Sequence, residues 1–579
     1  MMKRTLYILG GAACVMLLPH SLRAQNVQPK DTTVSRTVVV EQEYNPDILD
    51  AAKVNVLPKV EAPTVGKKSA EYATTLFPAT SIPGFSMNPY SGEELQPAFT
   101  PGYVRAGYGN YGNLDLFANY LFRLSGKDRL NIGLQVDGMN GELDKLSQAN
   151  PERKKWDARY YRTRAGADYT HLFDRFELNA NGNFGLSNFN YQPGGIHGKQ
   201  KFTSGDVQTG IRFTDETAPF RFNAAAGVLM YERRQNGPKQ PGNEDYAIKE
   251  TILRFAGGVT GMIGDRRNIG IGFELNNFRY GGYTKDPHTQ ETLLKGYTAL
   301  QLNPSYELDT DDWRLHLGAK VDLSFGFGSS YRIAPDVDIQ YVFADSYVLY
   351  ARATGGQRNN DFRRMGQINP YSELPVSMEA AGEPRIAQLR GTHEQVNGSL
   401  GFKAGPYPGL WFHVYGGYQR LKDEIFTESV TIPADAEEAS FFHFGQADAN
   451  NFYAGGEATY EYKDLFAVSA RYTYRNWKCR ANEHLLAVKP AGELSFNTLL
   501  RPIANLTLKL GYTHIGRKEV KNYMKMQAVN DLHAGADYNL FKGISAYARV
   551  HNLLNKKYQY YPGYSAEGLN VLGGLSFRF

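Results

Sequence analysis

Leu569, Val571, Gly573, Leu575, Phe577 and Phe579 alternate with Asn570, Leu572, Gly574, Ser576 and Arg578 up to the last residue of the sequence. A period of two puts a mostly apolar row on one face of a strand and a mostly small or polar row on the other. In a soluble sheet such a strand would leave an apolar edge facing water. A transmembrane β-barrel uses both faces, because lipid covers the apolar row and the first strand pairs with the edge. The expectation is an outer-membrane barrel closed by this strand.

Composition agrees. Mean hydropathy is −0.46, yet 13% of the residues are aromatic, with 39 Tyr against 4 Trp. A barrel reconciles the two, since half of its strand residues face a polar lumen and aromatic residues ring both interfaces. No apolar run after the N-terminal one approaches the length of a membrane-spanning helix. At the N-terminus, Lys3 and Arg4, an apolar stretch from Leu6 to Leu18 and the small-residue site around Ala24 read as a secretory signal peptide covering 1–24. Its removal, with Lys3, Arg4 and Arg23, lowers the net charge from +5 to +2. That is no footprint for nucleic acid. Cys479 is then the one remaining cysteine, which excludes an intramolecular disulfide and a cysteine-rich metal site.

Residues 25–100 carry eight of the 27 prolines and no sustained periodicity. They read as an extended periplasmic or lumenal segment rather than a domain with its own core. From 101 to 579 alternation recurs with no helical pattern between repeats. Trp313, Leu315, Leu317, Ala319, Val321, Leu323 and Phe325 form one such row. Counting them predicts an all-β, antiparallel transmembrane barrel of about 22 strands. Every second connection is a tight turn, such as Lys463-Asp464 or Lys542-Gly543, and the others are long and polar, notably 140–156, 234–247, 356–387, 422–450 and 553–568. Short periplasmic turns alternating with long external loops are the barrel pattern.

Ahead of the closing strand stands Asn552-Leu553-Leu554-Asn555-Lys556-Lys557-Tyr558. This resembles the Asn-Leu-Phe-Asn/Asp-Lys-x-Tyr stretch of the TonB-dependent outer-membrane receptors, active transporters of scarce or bulky nutrients. The resemblance covers 101–579 in pattern and the last thirty residues in motif. It implies that Leu575, Phe577 and Phe579 are the signal read by the barrel-assembly machinery. It also implies an N-terminal plug domain, preceded by a short box that pairs with TonB by strand addition. The segment 25–100 is too short and too Pro-rich for that plug. Asp31-Thr32-Thr33-Val34 and Thr37-Val38-Val39-Val40 are the stretches that resemble the box. A lumen of this width needs closing. The candidates are residues 25–100, external loops folded inward, or another envelope protein.

Other motifs carry less. Gly107-Tyr108-Gly109-Asn110-Tyr111-Gly112 matches the dinucleotide fingerprint letter for letter, but a strand-like run follows where a phosphate-binding helix is required. It reads as a hairpin. Asp309-Thr310-Asp311-Asp312 lacks the Gly and Glu of a calcium loop and reads as a solvated turn. His316 and His413 read as lumen-facing polar residues. Arg358, Arg363 and Arg364, and the acidic run Asp435 to Glu438, fall in the longest loops and are candidate external contacts. No catalytic set, metal cluster or cofactor motif stands out in the spacing. The sequence therefore predicts a Gram-negative outer-membrane barrel without enzymatic activity. Its role is solute uptake or capture, or, alternatively, that of a non-transporting scaffold whose lumen a partner fills. Its expected partners are outer-membrane lipid, the assembly machinery, and TonB or another envelope protein. The substrate is not encoded in any motif.

Overall fold

The computed structural model describes residues 101–579 apart from 145–154, 193–197, 216, 236–246, 265, 283, 285–291, 345, 375, 379–383, 433–438, 482 and 522–524. The signal peptide, the stretch Asp31 to Val40 and the acidic run Asp435 to Glu438 lie outside the described residues.

The described chain is a closed antiparallel barrel of 22 strands. Strands run Gly102–Gly109 (β1), Leu114–Arg123 (β2), Asp128–Asp144 (β3), Lys155–Leu172 (β4), Phe176–Asn190 (β5) and Lys199–Phe213 (β6). Phe220–Arg233 (β7), Ile248–Met262 (β8), Arg267–Gly282 (β9), Tyr297–Asp309 (β10), Trp313–Phe325 (β11), Tyr331–Phe343 (β12) and Tyr347–Arg358 (β13) follow. Thr392–Tyr407 (β14), Leu410–Ile432 (β15), Ala439–Tyr462 (β16), Phe466–Cys479 (β17), Pro490–Ile503 (β18) and Leu506–Arg517 (β19) come next. Val529–Phe541 (β20), Ile544–His551 (β21) and Asn570–Arg578 (β22) complete the ring. β1 pairs with β22 in a register that sets Val104 against Phe577 and Ala106 against Leu575. The seam ends in a reciprocal pair of backbone hydrogen bonds between Gly102 and Phe579, 2.8 and 3.0 Å long. A closed ring leaves no free edge, so every strand backbone group in the hydrocarbon layer can be satisfied within the sheet.

The two faces separate as alternation requires. On β22, Leu575 is 56% exposed and Leu572 only 2%. Val207, Val259 and Ile271 face out on other staves. This exposed apolar belt is the surface that lipid covers. At the tight-turn end it gives way to aromatic rings. Phe176 lies edge-on to Phe213, Trp313 lies 4.7 Å from Tyr341, and Phe343, Tyr347 and Phe402 stack in sequence. These rings form part of an interfacial girdle.

The glycine-rich fingerprint is the β1–β2 turn. Asn110–Gly112 makes a single 3-10 turn with Tyr111 at φ 53° and Gly112 at φ 61°, and a strand follows it. No helix N-terminus is there to hold a pyrophosphate. Several segments read from sequence as polar loops prove to be structured, and 553–568 holds a short hairpin of Gln559–Tyr561 with Tyr564–Ser565. The 422–450 stretch continues β15 and β16 well beyond the lipid belt, across a register shift between Leu421 and Glu424. Residues 356–387 complete β13 and contain a short helix, Phe362–Ile368 (α1). A second, His484–Val488 (α2), lies between β17 and β18.

Candidate functional site

The largest cluster of buried apolar residues lies at the loop end of the barrel. Met139, Trp156, Phe189, Phe202, Tyr231, Phe362, Met365, Tyr371, Phe444, Tyr561 and Tyr564 belong to one cluster. It joins strand ends to loops from separate parts of the ring.

The connection between β13 and β14 builds most of this cap. Asp361 begins α1, and its side chain accepts the Arg364 backbone N–H at 2.7 Å, as an N-cap does. Burial raises the Asp361 carboxyl above its ordinary range and lowers the basicity of Arg364. The Phe362 N–H donates to Glu250 Oε2 of β8 at 2.8 Å, and Arg363 pairs with Asp206 of β6 at 3.1 Å. Gly366 lies so close to the wall that a Cβ there would meet the Tyr231 hydroxyl at 2.8 Å. Beyond the helix, Arg233 of β7 donates to the Ser372 carbonyl. Tyr371 stacks on Tyr564 at 3.7 Å and meets Phe189 edge-on. The Glu373 N–H donates to the Phe442 carbonyl of β16 at 2.7 Å. One loop thus ties the β6–β8 wall to the β15–β16 hairpin and to the segment before β22.

The hairpin leans on a second apolar cluster. Phe426 and Leu421 pack with Trp477, Cys479 and the α2 residues Leu485 and Leu486. Glu424 and Lys489, both buried, form a close ion pair beneath it. A third tie is the stretch ahead of β22. The Asn552 side chain donates to the carbonyls of Lys556 and Glu567 and accepts the Lys556 N–H. Glu567 accepts from Asn113 and Asn570, and burial lifts its carboxyl to about 7.

Beneath the cap, on the lumen side, lies a cavity of about 560 Å³. Arg162, Arg164, Asn183 and Ser204 line it from the wall, and Arg363 and Gln367 line it from α1. Arg162 is held by Asp137 at 2.7 Å. Arg164 is exposed to the lumen and has no hydrogen-bond or ion-pair partner among the described residues. A free guanidinium beside two others suits a planar anionic group such as a carboxylate.

The sequence-predicted site residues distribute unevenly. Leu575, Phe577 and Phe579 all lie on the lipid face. Arg358, Arg363 and Arg364, the candidate loop contacts, all have partners within the chain. They pair inside the mouth with Glu394, Asp206 and Asn360 respectively. His316 sits between Glu307 and Asp336, at 3.4 and 3.5 Å, and His413 bonds the Tyr350 hydroxyl at 2.8 Å. The cap and the cavity were not expected as a unit, because their residues come from strands far apart in sequence.

No family profile and no curated protein matches the chain in sequence. Solved structures do match its fold. A ferric enterobactin receptor of Pseudomonas aeruginosa bound to enterobactin superposes with a TM-score of 0.63 at 12% identity, over 83% of this chain and 82% of that one. The FrpB iron transporter of Neisseria meningitidis gives 0.63 at 11%, over 83% and 82%. The siderophore receptor PirA of Pseudomonas aeruginosa gives 0.56 at 11%, over 83% and 80%. What the described residues share with these neighbours is the fold, which here is a closed ring of 22 antiparallel strands.

Proposed function

We propose that this chain is an outer-membrane uptake protein that captures a solute at its outer mouth and admits it through a gated lumen. The observation that carries the reading is the cap. The β13–β14 loop spans the mouth through ties to several strands, directly above a cavity that presents Arg162, Arg164 and Arg363. Wide lumens need such closure, and a closure made of loops can move. The solute is an organic anion, for which the Arg164 guanidinium, flanked by the Arg162–Asp137 and Arg363–Asp206 pairs, supplies the complementary charge. The fold neighbours named as siderophore receptors and an iron transporter support uptake over enzymatic chemistry. Residues 1–24 act as the signal peptide, 25–100 as the periplasmic or lumenal segment and 101–579 as the barrel. Leu575, Phe577 and Phe579 act as the insertion signal.

Energy enters through Asp31 to Val40, which adds a strand to TonB. A peptide spanning 31–40 is expected to bind the TonB C-terminal domain, and proline substitutions at Val38 and Val39 to abolish that binding. Absence of binding rules out the energised form of the proposal. Stoichiometric co-purification with another envelope protein in mild detergent would replace it with the scaffold reading.

A further inference from the structure

The lumen wall carries a second constellation, separate from the capped cavity. Asp531 and His533 lie on β20 and His551 lies at the end of β21. The two strands pair with Ala534 against Val550, so the same register places His533 opposite His551. All three side chains share the lumenal parity. Tyr538 and Leu540, on the other parity of β20, face out, while Tyr547 of β21 reaches across to Asp115 Oδ2 at 3.1 Å.

Asp531 Oδ2 lies 3.4 Å from His533 Nδ1 and 3.2 Å from His551 Nδ1. The three potential ligand atoms fall within 4.8 Å of one another. Ligands about 2.0–2.1 Å from a tetrahedral ion stand roughly 3.3 Å apart, so the carboxylate–imidazole spacings need little change to accept one. The other oxygen of Asp531 is already fixed, since Oδ1 accepts the Asn552 backbone N–H at 2.6 Å. That leaves Oδ2 turned to the imidazoles, the kind of outer contact that orients a metal-binding carboxylate. Asn552 adopts φ 49° and is held by its own bonds to Lys556 and Glu567, so the stretch before β22 braces this carboxylate. Asp531 is largely buried, whereas both histidines keep about a quarter of their surface open to the lumen.

We infer that Asp531, His533 and His551 form a site for a divalent first-row transition ion of the zinc type, with at least one position left open to the lumen. Two imidazoles and one carboxylate are a borderline-soft, three-ligand set that suits such ions and not calcium or magnesium. An open position permits a water or a ligand of the entering solute to complete the shell. The site depends on the barrel alone and stands whether or not the uptake reading does.

The test uses the full-length, untagged mature protein in detergent, stripped with chelator and titrated with cobalt(II), then displaced by zinc(II). One saturable site with the visible spectrum of low-coordinate cobalt is expected. Asp531→Asn, His533→Ala and His551→Ala should each weaken it roughly ten-fold or more. His316→Ala, which removes another lumenal imidazole, should leave it unchanged. Retention of the heat-dependent gel shift of a folded barrel screens out misfolded variants. Anomalous scattering at the zinc edge from zinc-soaked crystals gives a readout on the unmutated chain. Absence of saturable binding, binding indifferent to the three substitutions, or an anomalous peak elsewhere overturns the proposal.

Discussion

At the scale of single residues, Glu567 couples the stretch ahead of β22 to pH. Its carboxyl rises from an ordinary 4.5 to about 7, because burial favours the neutral form while the Asn113 contact only partly offsets it. A raised folded-state value means that the folded chain holds a proton the unfolded chain has released between those limits. The local stability it supports is full below about pH 4.5 and falls as pH rises toward 7. Amide-exchange protection across 552–569, taken relative to the intrinsic exchange rate at each pH, is expected to be lower at pH 8 than at pH 5, and Glu567→Gln to flatten that difference. Equal protection in the wild type at both pH values would contradict this assignment. Residue-level legibility was uneven. Leu575, Phe577 and Phe579 declared their lipid face by parity alone. Asp531, His533 and His551 did not stand out, because His533 and His551 meet only through the β20–β21 register. The Lys542-Gly543 turn was visible in sequence and implies a register close to this one, so the pairing was within reach.

At the scale of elements, the strands were readable because lipid outside and a polar lumen inside impose a strict period of two. The loops were not, because above the lipid that constraint disappears. Lys422-Asp423-Glu424 breaks the alternation of β15, and so the stretch beyond read as loop. The structure places a bulge there, with Asp423 at φ 52°, and the extra residue re-aims the hairpin toward the cap. Helix α1 carried one overlooked signal, Asp361 in N-cap position ahead of Phe362. The hairpin is held by its apolar anchor. Phe426→Ala, which empties a buried position against Trp477 and Leu485, should cost about 3–5 kcal/mol of local stability. The expected sign is protease nicking within 425–445 while the barrel stays resistant. Loss of the barrel itself would mean that the hairpin is part of the global folding unit.

At the scale of the molecule, the sequence required a wide barrel and therefore a closure, but could not choose which segment supplies it. The closure depends on contacts such as Arg363 with Asp206 and Tyr371 with Tyr564, between residues more than 150 positions apart. Such pairs follow from the three-dimensional course of the loop and leave no local pattern. The proposed uptake turns on gating of the lumen by the β13–β14 loop. Single-channel conductance of the mature protein in a planar bilayer tests it most directly, compared with a variant in which residues 359–391 are replaced by a short Gly-Ser turn. A silent wild type, with insertion verified independently, and a large steady conductance in the loop variant are expected. A wild type that conducts steadily and as well as the variant would contradict gating by the loop.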